Sequence, residues 1–151
     1  MTSKRKKTIF WAVLIFLLLI QFFPIDKTNP PFDLAEDYLQ ISQPPIAVQQ
    51  MIKAACYDCH SHQTVYPWYT NIQPIGKWIK GHVEYGKENL NFSLWANYSP
   101  DKAKHKLEEC IEVMENGRMP MKSYTWTHPD AKLDESQQTE LIAWFKNQYE
   151  Q

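Results

Sequence analysis

The sequence predicts an all-α protein in which one apolar N-terminal helix precedes a single helical domain. Apolar residues recur at intervals of three and four positions along four segments, which is the spacing of amphipathic helices. No segment keeps the strict alternation of apolar and polar residues that marks a half-buried strand. The chain has 151 residues, enough for one domain, and only 4 glycines, too few for a turn-dense all-β fold.

Residues 1–26 predict a transmembrane anchor. A basic cluster, Lys4 to Lys7, precedes an apolar run from Ile9 to Phe23. This order is typical of a secretion signal, but no small-residue cleavage site follows, which favours a retained anchor over a cleaved peptide. The apolar run spans roughly 22 Å as a helix, short of the ~30 Å hydrocarbon core. Flanking residues and snorkelling lysines are therefore expected to complete the span.

The charge pattern places the rest of the chain outside a bacterial inner membrane. Basic residues ahead of an anchor keep the N-terminus in the cytoplasm, so everything after Asp26 is expected in the periplasm. The formal net charge of −1 includes the four positive charges of the basic cluster, so the exported part is more acidic still. An acidic domain gives no reason to expect a nucleic-acid partner.

Behind the anchor, residues 27–43 begin Pro-rich and polar and predict a tether, and residues 44–151 predict the folded domain. A long irregular stretch between the third and fourth helices, residues 117–133, is expected to be functional because such loops are uncommon in small domains. The predicted helices run from Pro44 or Pro45 to Ala55, from Pro74 to Glu88, from Pro100 to Gly117, and from a cap at Asp134 through Phe145. Each carries an apolar stripe that is expected to face the core, and the stripe of the second helix comprises Ile75, Trp78, Ile79, His82, Val83 and Gly86.

Residues 56–60 read CYDCH, and this motif allows three interpretations. A redox disulfide between Cys56 and Cys59 fits an exported protein, but thioredoxin-like sites need a βαβ context that is missing here. A zinc site needs a second pair of ligands, and only Cys110 remains. The third interpretation, covalent haem, uses both thiols for thioether bonds and His60 as an axial iron ligand. Haem c, one group per chain, is the favoured interpretation.

Met119 is the predicted sixth ligand of the iron. It follows a helix end at Gly117, and Pro120 biases it toward an extended backbone that presents the thioether. His/Met ligation is typical of cytochromes c and raises the reduction potential. Met121 and His82 are the alternatives.

Four further residues receive predictions. Trp68 or Tyr69, from the aromatic run YPWYTNIQP, is expected to pack on the porphyrin edge, with a carbonyl nearby accepting the His60 Nδ1 proton. Ordinary core packing is the competing interpretation of that run. His128 is expected to bond locally or to a haem propionate, and Cys110 to be a small buried apolar residue, with an intermolecular disulfide as the alternative.

The chain resembles the small bacterial haem-binding domain proteins that are related to class I cytochromes c. The resemblance covers roughly residues 45 to 145 and rests on AACYDCHSHQTVYPWYTNIQPI, LNFSLW, MENGRMPMKSYTWTHPDAKL and LIAWF. It implies a cytochrome c-like helical fold with one covalent haem c. It also implies thioether bonds at Cys56 and Cys59, with His60 and Met119 as axial ligands.

These features predict a membrane-tethered mono-haem cytochrome that passes single electrons between a membrane donor protein and an exported acceptor protein. The protein is then an electron carrier and no enzyme. A haem-based sensor or small peroxidase with a labile Met119 is the second hypothesis, and it requires a distal acid-base residue such as His82 or His128. Haem as a structural staple of an interaction module is the third.

Overall fold

The predicted all-α class is confirmed. The computed structural model describes residues 3–151, and every regular element in that range is helical. The chain groups into two compact units. We call the residues up to Thr28 with Tyr66–His82 the N-terminal unit, and Asn29–Val65 with Val83–Gln151 the core unit.

The N-terminal unit contains the predicted apolar helix. Helix α1 runs from Ser3 to Leu19 and continues into a 3₁₀ turn, Ile20–Phe22. A second 3₁₀ turn, Trp68–Asn71, precedes the first half of helix α5, which as a whole runs from Ile75 to Asn89. Within residues 3–151, no helix combines the length and the apolar character that crossing a membrane requires.

The core unit is built from short helices around two long ones. Helices α6 and α8 pack against each other, and α3 packs against α8. The helices of this unit are α2 (Tyr38–Ser42), α3 (Ile46–Ile52), α4 (Asp58–His60), the second half of α5, α6 (Pro100–Glu115), α7 (Lys122–Thr125) and α8 (Glu135–Glu150), with 3₁₀ turns at Leu34–Glu36, Phe92–Asn97 and Pro129–Ala131.

Local sequence signals set the ends of the two long helices. The Ser99 side chain accepts a hydrogen bond from the Lys102 amide and caps α6, whose first residue is a proline. After α6 the chain reverses at Gly117, whose φ of 68° is left-handed and favours glycine. Asp134 starts α8 with a capping box, because its carboxylate accepts from the Gln137 amide while the Gln137 side chain accepts from the Asp134 amide.

The predicted apolar stripes of α3, α6 and α8 form the core, whereas the stripe predicted for α5 is only half correct. Ile75 and Trp78 are exposed, while Val83 and Gly86 farther along the same helix are buried. The buried cluster of the core unit comprises Tyr38, Leu39, Val48, Met51, Ile52, Tyr57, Phe92, Trp95, Leu107, Cys110, Met114, Leu141 and Phe145.

The segment predicted as a tether contributes to this core. Tyr38 is 1% exposed, and its ring lies 4.7 Å from that of Trp95 in an edge-on contact. The Tyr38 hydroxyl accepts a hydrogen bond from the Trp144 indole at 3.0 Å. The buried carboxylate of Asp37 caps α2 and accepts the Tyr57 hydroxyl at 2.6 Å. Residues 37–42 are therefore packed structure, and the polar start of the segment concealed this.

Candidate functional site

The CYDCH motif lies at a change of helix type. Helix α3 continues as a π-helical turn, Lys53–Tyr57, and then as α4, which ends where Ser61 becomes extended. Cys56 and Cys59 are three residues apart on this helical segment, so their side chains project from the same side. Single π turns inside α-helices occur often at functional sites.

His60 is held by the carbonyl groups at the end of α5. Its Nδ1 donates to the carbonyl oxygen of Gly86 at 2.9 Å and to that of Leu90 at 3.2 Å. Because carbonyl oxygens only accept, Nδ1 carries the proton and Nε2 keeps its lone pair. Burial lowers the pKa of His60, which keeps the imidazole neutral. A neutral imidazole fixed at Nδ1 is in the form that binds a metal through Nε2.

The expected carbonyl partner of His60 therefore exists, but in α5 and not in the aromatic run that follows the motif. Gly86 explains how α5 comes so close. A Cβ built on Gly86 lies 2.5 Å from the carbonyl oxygen of Cys59 and 3.3 Å from its Cβ. Only glycine allows this approach without a shift of backbone.

Asp58, between the two cysteines, ties the motif to two other segments. Its carboxylate accepts the backbone amide of Val65 at 2.9 Å and the hydroxyl of Tyr124 at 2.8 Å. Burial, together with the bond to Asp58, raises the pKa of Tyr124, so its hydroxyl stays protonated and donates. Sequence reasoning missed this pair, because nothing in the spacing of the two residues brings them together.

His128 forms a local hydrogen bond, which was one of the two roles expected for it. Its ring stacks on that of Tyr124 at 4.1 Å, and its Nδ1 is 3.1 Å from the Tyr124 carbonyl oxygen, to which it donates. Together with the Tyr124 bond to Asp58, this stack fixes the loop that follows Met119 against the CYDCH helix.

An apolar crevice joins the motif to α6 and to the loop that follows it. It encloses about 440 Å³ free of protein atoms, open solvent at its mouth included. His60 and Met119 both line it, as does the neighbouring Met114. The full lining comprises Ala55, Cys56, His60, Leu90, Phe92, Cys110, Val113, Met114, Met119, Pro120, Leu133, Leu141 and Phe145.

The other predicted site residues do not line the crevice. Trp68, Tyr69 and His82 belong to the N-terminal unit, whereas the whole crevice lining belongs to the core unit. Trp68 and Tyr69 contact each other edge-on at 5.8 Å, and the His82 Nδ1 donates to the carbonyl oxygen of Trp78. Met121 is the residue immediately before α7 and does not line the crevice.

The electrostatics of the thiols argue against a reactive redox pair. All three cysteines are free thiols in the structure. Burial raises the pKa of Cys56 to about 12, with Cys59 as a second cause, and burial and then Asp58 raise the pKa of Cys59 to about 11. Redox cysteines have a lowered pKa, because the thiolate is the nucleophile. Burial also raises the pKa of Cys110, which is buried as expected.

A zinc site would need several His, Cys, Asp or Glu side chains close together. Across residues 3–151, no group of three or more His, Cys, Asp or Glu side chains is placed to hold a metal ion.

Comparison with known proteins identifies a family. The family model described as a haem-binding domain matches residues 15–147, most of the chain. No curated protein and no solved structure matches the sequence.

Proposed function

The chain belongs to the haem-binding domain family, and on this premise we propose that it is a mono-haem c-type cytochrome that transfers single electrons. Cys56 and Cys59 would form the two thioether bonds to haem. His60 and Met119 would bind its iron. The observation that carries this proposal is that His60, Met119 and Cys56 line one apolar crevice.

The donor set fits haem c. The two thiols project from one side of a helical segment, and His60 presents an imidazole whose Nδ1 proton is already bonded to backbone. Bound haem supplies an iron that accepts and releases one electron. The apolar lining excludes water, and Met119 contributes a soft thioether that favours the reduced iron. The carbonyl oxygens of Gly86 and Leu90 hold the His60 ring in one orientation.

The lining also favours electron transfer over peroxide chemistry. Apart from His60, its only titratable residues are Cys56 and Cys110, and burial raises the pKa of both thiols. A peroxidase needs a distal side chain that moves a proton. His128, one candidate for that role, is stacked on Tyr124 and donates to backbone. The other candidate, His82, is not part of the crevice lining.

Attachment to the bacterial inner membrane is the second part of the proposal. Most side chains of α1 from Ile9 onward are apolar and exposed, and four basic residues precede them. We place the N-terminus in the cytoplasm and the haem in the periplasm, because basic residues remain on the cytoplasmic side. Membrane attachment raises the effective concentration of the cytochrome near membrane-bound redox donors and acceptors.

Voltammetry of the purified full-length chain, matured with haem c, tests the proposed function. We expect one reversible one-electron wave that hydrogen peroxide leaves unchanged. A peroxide-dependent catalytic current would instead support the peroxidase hypothesis.

A further inference from the structure

The N-terminal unit exposes large apolar side chains well beyond helix α1. Trp68 is 74% exposed and Trp78 is 56% exposed, although tryptophan is among the costliest side chains to leave in water. Ile72 and Ile75, between them in sequence, are exposed as well. We call Trp68, Ile72, Ile75 and Trp78 the apolar platform. Exposed apolar side chains concentrated in one segment mark an interaction surface.

A double hydrogen bond fastens this segment to the end of α1. The side-chain nitrogen of Gln21 donates to the backbone carbonyl oxygen of Gln73 at 3.0 Å. The side-chain oxygen of Gln21 accepts from the backbone amide of Gln73 at 2.9 Å. Gln73 is 3% exposed and lies directly after Ile72 of the platform. The end of the apolar helix and the platform therefore lie together.

Two lysines strengthen the same connection. The Lys27 ammonium donates to the Asn71 side chain at 2.6 Å, and the Lys77 ammonium lies 5.9 Å from the centre of the Phe23 ring. Lysine side chains also interact favourably with anionic lipid headgroups. The platform and these two lysines therefore combine tryptophan, aliphatic and basic side chains, the composition found at membrane interfaces.

We propose that the apolar platform docks into the headgroup region of the lipid bilayer, beside the point where α1 leaves it. This inference rests on the proposed membrane attachment of α1. The apolar run from Ile9 to Phe23 spans roughly 22 Å as a helix, less than the ~30 Å hydrocarbon core. A short apolar segment draws its flanking residues toward the bilayer. The Gln21–Gln73 connection makes the platform part of those flanking residues.

Photocrosslinking of the full-length, haem-loaded chain in vesicles of phosphatidylethanolamine and phosphatidylglycerol tests this proposal. The photoreactive residue p-benzoylphenylalanine replaces Trp68, Trp78, Phe16 or Trp126, one position at a time. Phe16 reports on α1, and Trp126, which is 90% exposed in the core unit, is the matched aromatic control. Mass spectrometry then separates lipid adducts from protein crosslinks, and retained haem shows that each variant is folded.

We expect lipid adducts at positions 16, 68 and 78 and no lipid adducts at position 126. Adducts at 16 without adducts at 68 and 78 would overturn the platform while membrane attachment of α1 stands. An absence of adducts at all three positions would refute the attachment and the platform together. Crosslinks from 68 and 78 to a second copy of the chain, or equal lipid adducts at 126, would also overturn the proposal.

Discussion

Replacing Gly86 with alanine tests the close contact between α5 and the CYDCH motif that positions His60. The new Cβ would lie 2.5 Å from the Cys59 carbonyl oxygen, well inside ordinary van der Waals contact, and both groups belong to backbone that must shift. Overpacking of this kind costs about 1 to 3 kcal/mol. Alanine recovers about 0.5 to 1 kcal/mol in a helix interior relative to glycine. The net expectation is a loss of about 0 to 2.5 kcal/mol of unfolding free energy.

Gly81→Ala is the matched control, because Gly81 lies on the same helix and a Cβ there meets nothing within 4 Å. We expect that variant to gain about 0.5 to 1 kcal/mol. Urea unfolding followed by circular dichroism compares the two. A Gly86→Ala protein as stable as Gly81→Ala would refute the close-packing argument.

The same substitution is expected to change the reduction potential. A shift of α5 weakens the bond from the His60 Nδ1 to the Gly86 carbonyl oxygen. A weaker bond makes the imidazole a poorer electron donor, so the ferric iron loses stabilisation and the potential rises. Voltammetry of both glycine variants measures this rise, which Gly81→Ala does not share.

Three further predictions concern covalent attachment, loop fixation and helix capping. The Cys56→Ala and Cys59→Ala variants each keep haem through denaturation by one thioether, and the double variant releases it, as mass spectrometry will show. Tyr124→Phe leaves the Asp58 carboxylate without the hydroxyl that it accepts, which costs about 1 to 3 kcal/mol in urea unfolding. Asp134→Ala removes the capping box of α8 and costs about 1 kcal/mol by the same measurement.

Each of these predictions has a control in the same chain. Cys110→Ala, at a thiol outside the motif, retains both thioethers, and haem surviving denaturation in the double variant would contradict the attachment. Tyr85→Phe, at an exposed ring, is expected to leave the unfolding free energy unchanged. Asp130→Ala, in an exposed 3₁₀ turn, leaves α8 capped. A Tyr124→Phe protein as stable as Tyr85→Phe, or an Asp134→Ala protein as stable as Asp130→Ala, would contradict the corresponding contact.

Local patterns were sufficient to predict much of the fold. Helices α6 and α8 were predicted from the caps at Ser99 and Asp134 and from apolar residues at helical spacing. Both signals are local, because they involve residues within a few positions of each other. The CYDCH motif is equally local. Met119 was singled out from the helix end before it and the proline after it, and it lines the same crevice as His60.

Contacts between residues far apart in the chain could not be predicted from local sequence patterns. Periodicity assigned Ile75 and Trp78 to the core because it identifies an apolar face but not what covers that face, and both side chains are exposed. Tyr38, in a segment that begins as a polar tether, is buried through rings more than fifty residues away in sequence. The bond between Asp58 and Tyr124 likewise depends on the folded chain and on no local signal.

Whether Met119 binds the iron decides between a closed electron carrier and an open haem site, and spectra of the haem-loaded chain can distinguish the two. Ferric and ferrous spectra, with and without carbon monoxide, would be compared for the wild type, Met119→Ala and the control Met121→Ala. We expect a weak far-red ferric band from sulfur ligation and no reaction with carbon monoxide in the wild type and in Met121→Ala, and the loss of both properties in Met119→Ala. Ready carbon monoxide binding by the wild type, unchanged in Met119→Ala, would show that Met119 is not a ligand of the iron.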